Sequence, residues 1–527
     1  MRIARTRTRQ YRSAKGLKVM MDGPFSQKKP DPCSFVIFGV TGDLTHRLIV
    51  PSLYNLAASD LLPNRFCVVG IARTSASNEA LRNSLINGLR TFATRPVDEP
   101  TAGRLLECVT AVQADPKEPN SFDALRQQLE ELEASRATDG NRLFYLATPP
   151  NAFLPIAREL GRTGMLKQNG YWRRLAVEKP FGTDLASAKA LNAELSKILD
   201  EHQIYRIDHY LGKETVQNIL VLRFANGMFE PIWNRDHIDH IQITVDEKLS
   251  IGRRGSFYDS TGALRDMVPN HLFQLLSLVA MEPPIRFDAH SVRSEKADVL
   301  SAIQIQSEAD ALRNSVRGQY LSGTIGDSVI PDYRKTPDVR PDSTTETYVA
   351  LKLAIDNWRW AGVPFYLRTG KALAAKRTEV AIKFKQAPFA MFSCTPVTRL
   401  SQNYLVIAIE PTQGIALQFN AKIPGPTIAI DGVEMKFNYK DYFKTEPSTG
   451  YETLIYDCMI GDNILFQRAD GVEAGWRAVQ PFLDAWKKAG DKGLEFYPAG
   501  SDGPVGAEEL LKRDGRSWRK PASDDFA

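Results

Sequence analysis

The run Cys33-Ser34-Phe35-Val36-Ile37-Phe38 stops at Gly39 and gives way, across Val40 to Asp43, to a helical pattern through Leu44, Leu48, Leu53 and Leu56. A short apolar run closed by glycine and followed by such a pattern reads as strand, tight turn and helix. A second run, Phe66 to Ala72, lies at the distance that closes a βαβ unit, and strand-like runs recur at Leu143 to Leu146 and Leu175 to Val177 with helical patterns between them. Strands joined by helices must run parallel and bury both faces, so this stretch is expected to form a doubly wound α/β sheet.

After about Tyr210 the runs lengthen and alternate polar with apolar residues, as in Ile241 to Val245, Thr347 to Leu353, Val380 to Phe384 and Tyr404 to Ile409. Alternation suits an antiparallel sheet with one face covered. The expected architecture is therefore a Rossmann-like domain over 33–209, followed by an α+β domain over 210–527 built on a large, mostly antiparallel sheet. The proline-bearing segment Ile325 to Ser343 is expected to be an extended loop inside the second domain.

Composition removes several classes of function. No stretch reaches the apolar length of a membrane span and the N-terminus lacks a secretory core, which points to a soluble, cytoplasmic protein. The five cysteines, at 33, 67, 108, 394 and 458, have no Cys-x-x-Cys spacing, which argues against a disulfide framework or zinc site. The formal charge of +5 is concentrated in residues 1–32, where nine Lys/Arg face two Asp, 9 − 2 = +7, leaving 5 − 7 = −2 for the body. A near-neutral body with no basic stripe speaks against a nucleic-acid partner. The basic tail is expected to be disordered; a targeting peptide or a start at Met20 or Met21 are the other readings.

Two constellations carry chemistry. In Gly39-Val40-Thr41-Gly42-Asp43-Leu44 the glycines stand where a strand enters a helix, a place where backbone N–H groups can receive a pyrophosphate, although such a pair also serves plain turns. The second strand ends at Arg73, where an acid would read ribose hydroxyls and an arginine accommodates a 2′-phosphate, which favours NADP over NAD. The second constellation is Arg206-Ile207-Asp208-His209-Tyr210-Leu211-Gly212-Lys213-Glu214. If residues 209–213 are helical, His209 and Lys213 share a face and could grip a dianionic phosphate. Asp266-Met267-Val268-Pro269-Asn270-His271 adds a further carboxylate and imidazole. His271 could accept a proton from an alcohol if Asp208 reached it, though spacing alone does not show the contact.

Taken in order, Gly-Val-Thr-Gly-Asp-Leu at 39–44, Glu-Lys-Pro-Phe-Gly at 178–182, the block at 206–214, Asp-Met-Val-Pro-Asn-His at 266–271 and Arg-Thr-Gly-Lys at 368–371 resemble glucose-6-phosphate dehydrogenases. The resemblance runs from about residue 34 to 520. It implies His271 as general base paired with Asp208, and His209, Tyr210 and Lys213 as phosphate-binding positions. It further implies Glu247 and Asp266 on the sugar hydroxyls and Lys371 and Lys376 as further substrate-side lysines. Gly39, Thr41, Gly42, Asp43, Leu44 and Arg73 fall to the NADP side, with Lys179, before a cis proline, where coenzyme and sugar meet. It also implies a homodimer or homotetramer built through the large sheet, glucose 6-phosphate as substrate, NAD as a weaker alternative coenzyme, and no metal. Two positions depart from the family: Leu48 stands where much of it has Lys, with Arg47 pointing about 100° away on the same helix, and Asp502, far along the chain, stands where it usually has Trp. A silent sensor with the same fold and a related sugar oxidoreductase are the rival readings, the latter lacking the 206–214 block.

Overall fold

The computed structural model describes residues 10–12, 18–20 and 28–520, apart from 75–76, 394, 396, 398–399 and 444–447. Its first sheet has six strands: β1 (Cys33–Phe38), β2 (Phe66–Ala72), β3 (Val109–Gln113), β4 (Arg142–Leu146), β5 (Arg173–Val177) and β6 (Ile204–Arg206). They lie in the order β3-β2-β1-β4-β5-β6, all parallel. β1 and β4 are buried on both faces, which explains why they read as unbroken apolar runs. The chain reverses its winding direction between β1 and β4. In a doubly wound sheet a crevice opens at that point, beyond the carboxyl ends of the strands.

The second sheet has nine strands: β7 (Ile238–Asp246), β8 (Ser315–Leu321), β9 (Tyr348–Ala354), β10 (Pro364–Gly370), β11 (Arg377–Phe384), β12 (Tyr404–Glu410), β13 (Gly414–Lys422), β14 (Ile430–Asn438) and β15 (Leu494–Pro498). Their order is β14-β13-β12-β11-β7-β10-β9-β8-β15, antiparallel except where β10 joins β7 and β15 joins β8. The alternation seen in the sequence has its cause here. Ile241, Ile243 and Val245 enter the main core, while Gln242 on the opposite face pairs with the backbone of Ser517 and Arg519.

One apolar core spans both sheets. It joins Val36 and Phe38 of β1 and Phe144 of β4 to Leu264, Leu275 and Leu276 of the helices over the second sheet, and on to Ile243, Leu367 and Ile382. Each such side chain contributes about 1.5–3 kcal/mol when fully buried. The shared core holds the strand ends of the two sheets around one cleft, and that cleft is where the chemistry-bearing residues gather.

Two expectations need adjustment. The segment 325–343 is not wholly loop, because Gly323–Ile325 and Ser328–Ile330 pair antiparallel and Tyr333–Lys335 forms a helical turn. Within the tail expected to be disordered, Gln10–Arg12 and Lys18–Met20 pair antiparallel, and most of the remaining tail lies outside the described residues. Cys33, Cys67, Cys108 and Cys458 are free thiols, and Cys394 lies outside the described residues. No helix among the described residues is long and apolar enough to cross a membrane.

Candidate active site

β6 ends at Arg206, and the chain turns immediately. The Asp208 carboxylate accepts the Tyr210 N–H at 3.0 Å, and Leu211 N–H donates to the Asp208 carbonyl at 3.0 Å. An aspartate that accepts a backbone N–H two residues on imposes a turn in place of a helix. Residues 209–213 are therefore not helical, contrary to expectation. The helix is Glu214–Phe224, with Lys213 as its N-cap. Gly212 lets the backbone at Gly450 pack directly against this turn, since a Cβ there would lie 2.0 Å from the Gly450 carbonyl oxygen. His209 and Lys213 do not share a helical face, yet both line the same cleft.

Across the cleft, His271 lies in a widened helical turn, Val268–Leu272, between helices Gly255–Met267 and Phe273–Ala280. Such insertions re-aim a side chain within an otherwise continuous helix and recur at functional sites. His271 Nδ1 lies 2.5 Å from Asp208 Oδ1, with both side chains buried. An ionised carboxylate only accepts, so Nδ1 carries the proton and Nε2 keeps its lone pair. The imidazole stacks on the Tyr210 ring at 4.2 Å and meets the His209 ring edge-on at 4.7 Å.

Electrostatics divide these groups. Burial would raise the Asp208 carboxyl, but the facing His271 holds it well below the usual carboxylate range. Burial pushes the His271 imidazole down despite Asp208, which leaves the ring neutral near pH 7. His209 is pushed well below its ordinary value by burial and by His271, so it faces the cleft as a neutral donor. Asp208, His209 and His271 also bring donor atoms within 4.8 Å of one another, a set that could hold a metal ion.

The cleft has a volume of about 1530 Å³. Lys179, preceding the cis proline Pro180, reaches Asp266 at 2.9 Å, and that carboxylate more than offsets the effect of burial and raises the lysine pKa. Glu247 follows β7, Lys371 follows β10 and pairs with Glu247, and Lys376 precedes β11. Strand register brings these ends together, since Asp246 pairs with both Gly370 and Arg377. The buried Asp246 carboxylate also grips Arg368 at 3.0 Å and Arg377 at 2.8 Å. Sequence reasoning missed this clamp, and it missed Glu410 at the end of β12. Glu410 contacts Lys213 at 2.6 Å and Lys376 at 3.1 Å. Neither acid has a sequence neighbour that announces its partners.

At the other end, Gly39 leaves β1 with φ of +85°, and a Cβ there would sit 2.3 Å from the Ala147 carbonyl oxygen beyond β4. The Gly39 carbonyl accepts from Gly42 N–H at 2.9 Å and from Thr45 Oγ1 at 3.0 Å, which folds Thr41 to Asp43 into a turn at the helix start. The first N–H groups of a helix have no intrahelical acceptor, so this turn, placed at the crevice between β1 and β4, fits a dinucleotide pyrophosphate. Arg73 is exposed just beyond β2, and Leu44 lines the cleft. Leu48 also lines it, whereas Arg47 lies over the Phe92 ring at 5.1 Å and pairs with Asp43 at 3.8 Å, so it does not replace a cation at 48.

Comparison with known proteins agrees with this arrangement. The family model of the glucose-6-phosphate dehydrogenase NAD binding domain matches residues 36–218, and that of the C-terminal domain matches 220–519. The chain is 44% identical over 494 residues to the glucose-6-phosphate 1-dehydrogenase of Chlamydia pneumoniae, covering 93% of this chain and 96% of the relative. It is 42% identical over 491 residues to glucose-6-phosphate 1-dehydrogenase 2 of Mycobacterium tuberculosis, covering 93% and 95%. A solved glucose-6-phosphate dehydrogenase in complex with glucose 6-phosphate superposes with a TM-score of 0.84 at 34% identity, over 94% of this chain and all of the other. The Mycobacterium avium enzyme superposes with a TM-score of 0.78 at 37% identity, over 94% and 99%.

Proposed function

The chain belongs to the glucose-6-phosphate dehydrogenase family, and from that premise we propose that it oxidises the C1 hydroxyl of glucose 6-phosphate to the lactone with NADP as coenzyme. The observation that carries the reading is the Asp208–His271 hydrogen bond beside a cleft lined by Leu44 and Leu48, which follow the Gly39 turn, and by His271 and Lys213.

In this reading the phosphate is held by Lys213 and Lys376, with neutral His209 and Tyr210 beside it. Glu247, Asp266 and Lys371 orient the sugar through its hydroxyls, and Lys179 stands where sugar and coenzyme meet. Fixing a reactant in this way removes much of the entropic barrier to reaction. His271 Nε2 takes the C1 hydroxyl proton as C1 becomes a carbonyl, and Asp208 stabilises the imidazolium that results. Gly39, Thr41, Gly42, Asp43 and Leu44 would hold the dinucleotide, which would supply the acceptor for the hydride that leaves C1. Leu48 contributes no charge, so Lys179 is the cation assigned to the junction.

NADP is preferred because Arg73 extends past β2, where a 2′-phosphate would lie. Replacing Arg73 with Ala is expected to raise KM for NADP by about 10- to 100-fold, the worth of hydrogen bonds to a charged group, with little change for NAD. Equal changes for both coenzymes would remove Arg73 from 2′-phosphate recognition.

The division at residue 209 between coenzyme and substrate halves, a cytoplasmic homodimer or homotetramer, and assembly through the large sheet belong to the same proposal. Support for assembly comes from the edge strand β14, where Val433 and Met435 are 40% and 60% exposed. The function itself is tested by nicotinamide reduction with glucose 6-phosphate, run beside free glucose and beside NAD. Rapid turnover that needs both the phosphate and the 2′-phosphate is expected. A folded, coenzyme-binding protein with no turnover would overturn the reading in favour of a silent sensor.

A further inference from the structure

Glu410 lines the cleft between two of its lysines, Lys213 and Lys376, which the proposed function assigns to the phosphate. Its Oε1 lies 2.6 Å from Lys213 Nζ and its Oε2 3.1 Å from Lys376 Nζ, so one carboxylate spans two ammonium groups that come from different parts of the chain. Lys213 is a helix N-cap with its side chain 11% exposed, Lys376 precedes β11, and Glu410 closes β12. Lys213 and Lys376 are near enough to repel each other, and the carboxylate between them relieves that repulsion. Two ammonium groups and one carboxylate leave a single net positive charge, which is short of what a phosphate dianion requires. A dianion added beside a fixed Glu410 would meet a like charge at close range.

We propose that Glu410 is an internal stand-in for the substrate phosphate: its carboxylate fills the gap between Lys213 and Lys376, and the sugar phosphate binds by displacing it. Glu410 thereby sets the affinity of the site and its selectivity for a phosphorylated sugar over a neutral one. The Glu410 side chain is 25% exposed, so it has an outlet to water when it leaves the lysines. The cost of breaking two ion pairs is then subtracted from the binding of every phosphorylated substrate, while a neutral sugar leaves the pairs intact. This proposal rests on the assignment of Lys213 to the phosphate.

The test is Glu410→Gln, which keeps the shape and removes the charge. The ratio of kcat/KM for glucose 6-phosphate to that for free glucose is expected to rise about tenfold, the equivalent of about 1.4 kcal/mol. Inorganic phosphate should inhibit the variant competitively at lower concentration and raise its melting temperature more than it raises that of the unmodified protein. With both lysines uncompensated, KM for glucose 6-phosphate should also climb more steeply with ionic strength. An unchanged or lower ratio, with phosphate inhibition no tighter, would overturn the proposal and make Glu410 a residue that positions the lysines. Failure of the underlying assignment looks different: Lys213→Ala would then depress glucose 6-phosphate and free glucose equally, whatever Glu410→Gln does.

Discussion

Replacement of His271 by Asn is expected to lower kcat by about 10²- to 10⁴-fold, the range a positioned general base contributes, while KM for glucose 6-phosphate changes little. The expectation follows from the tautomer that Asp208 enforces. With Nδ1–H donated at 2.5 Å to a buried carboxylate, the ring presents Nε2 as an acceptor, and Asn has no group that can take a proton there. The pH profile supplies an independent check. Burial depresses the His271 pKa below its ordinary value, and the active form of a base is the deprotonated one. Activity should therefore hold through neutrality and fall only as pH drops through that depressed pKa. Asp208, held far lower, stays ionised throughout. In His271→Asn this acid limb should vanish along with most of kcat. A variant that keeps kcat, or keeps the limb, would show that His271 is not the base.

What the sequence made legible divides along physical lines. β1 and β2 read clearly because a strand buried on both faces is a nearly unbroken apolar run, closed in β1 by Gly39. β3, Val-Thr-Ala-Val-Gln, and the short edge strand β6 were not read as strands, because half-buried or three-residue strands leave no run to see. The block 206–214 disclosed its chemistry but not its conformation. The i, i+4 spacing of His209 and Lys213 allowed a helix, and the Asp208 side chain captured the Tyr210 N–H and made a turn. The contact between Asp208 and His271 spans 63 residues, and only the packing of the helices over the shared core brings it about. Glu410 and Asp246 were illegible for a related reason. Their partners are assigned by register between strands far apart in sequence, and register is set by which face each strand buries.

The second large effect is expected at the opposite end of the cleft. Lys213→Ala should raise KM for glucose 6-phosphate by about 100-fold, which charge-assisted contacts to a dianion can supply, and should leave KM for free glucose nearly unchanged. Two losses combine in that figure. One is the ammonium itself, held over the Tyr210 ring at 4.0 Å and shielded enough from water for its field to be felt. The other is Glu410, which loses its 2.6 Å partner, keeps only Lys376 at 3.1 Å, and so faces the incoming phosphate as a carboxylate with half of its compensation gone. The two can be separated, because residues that share one ion-pair network do not contribute additively. In a Glu410→Gln background the same Lys213→Ala change removes only the ammonium, so its effect on KM should shrink to about tenfold. Steady-state kinetics with both sugars on the four members of this cycle measure the difference directly. Equal losses for glucose 6-phosphate and free glucose would take the phosphate role away from Lys213. An undiminished loss in the Gln background would mean that the ammonium acts alone and that the carboxylate beside it is already out of the phosphate's way.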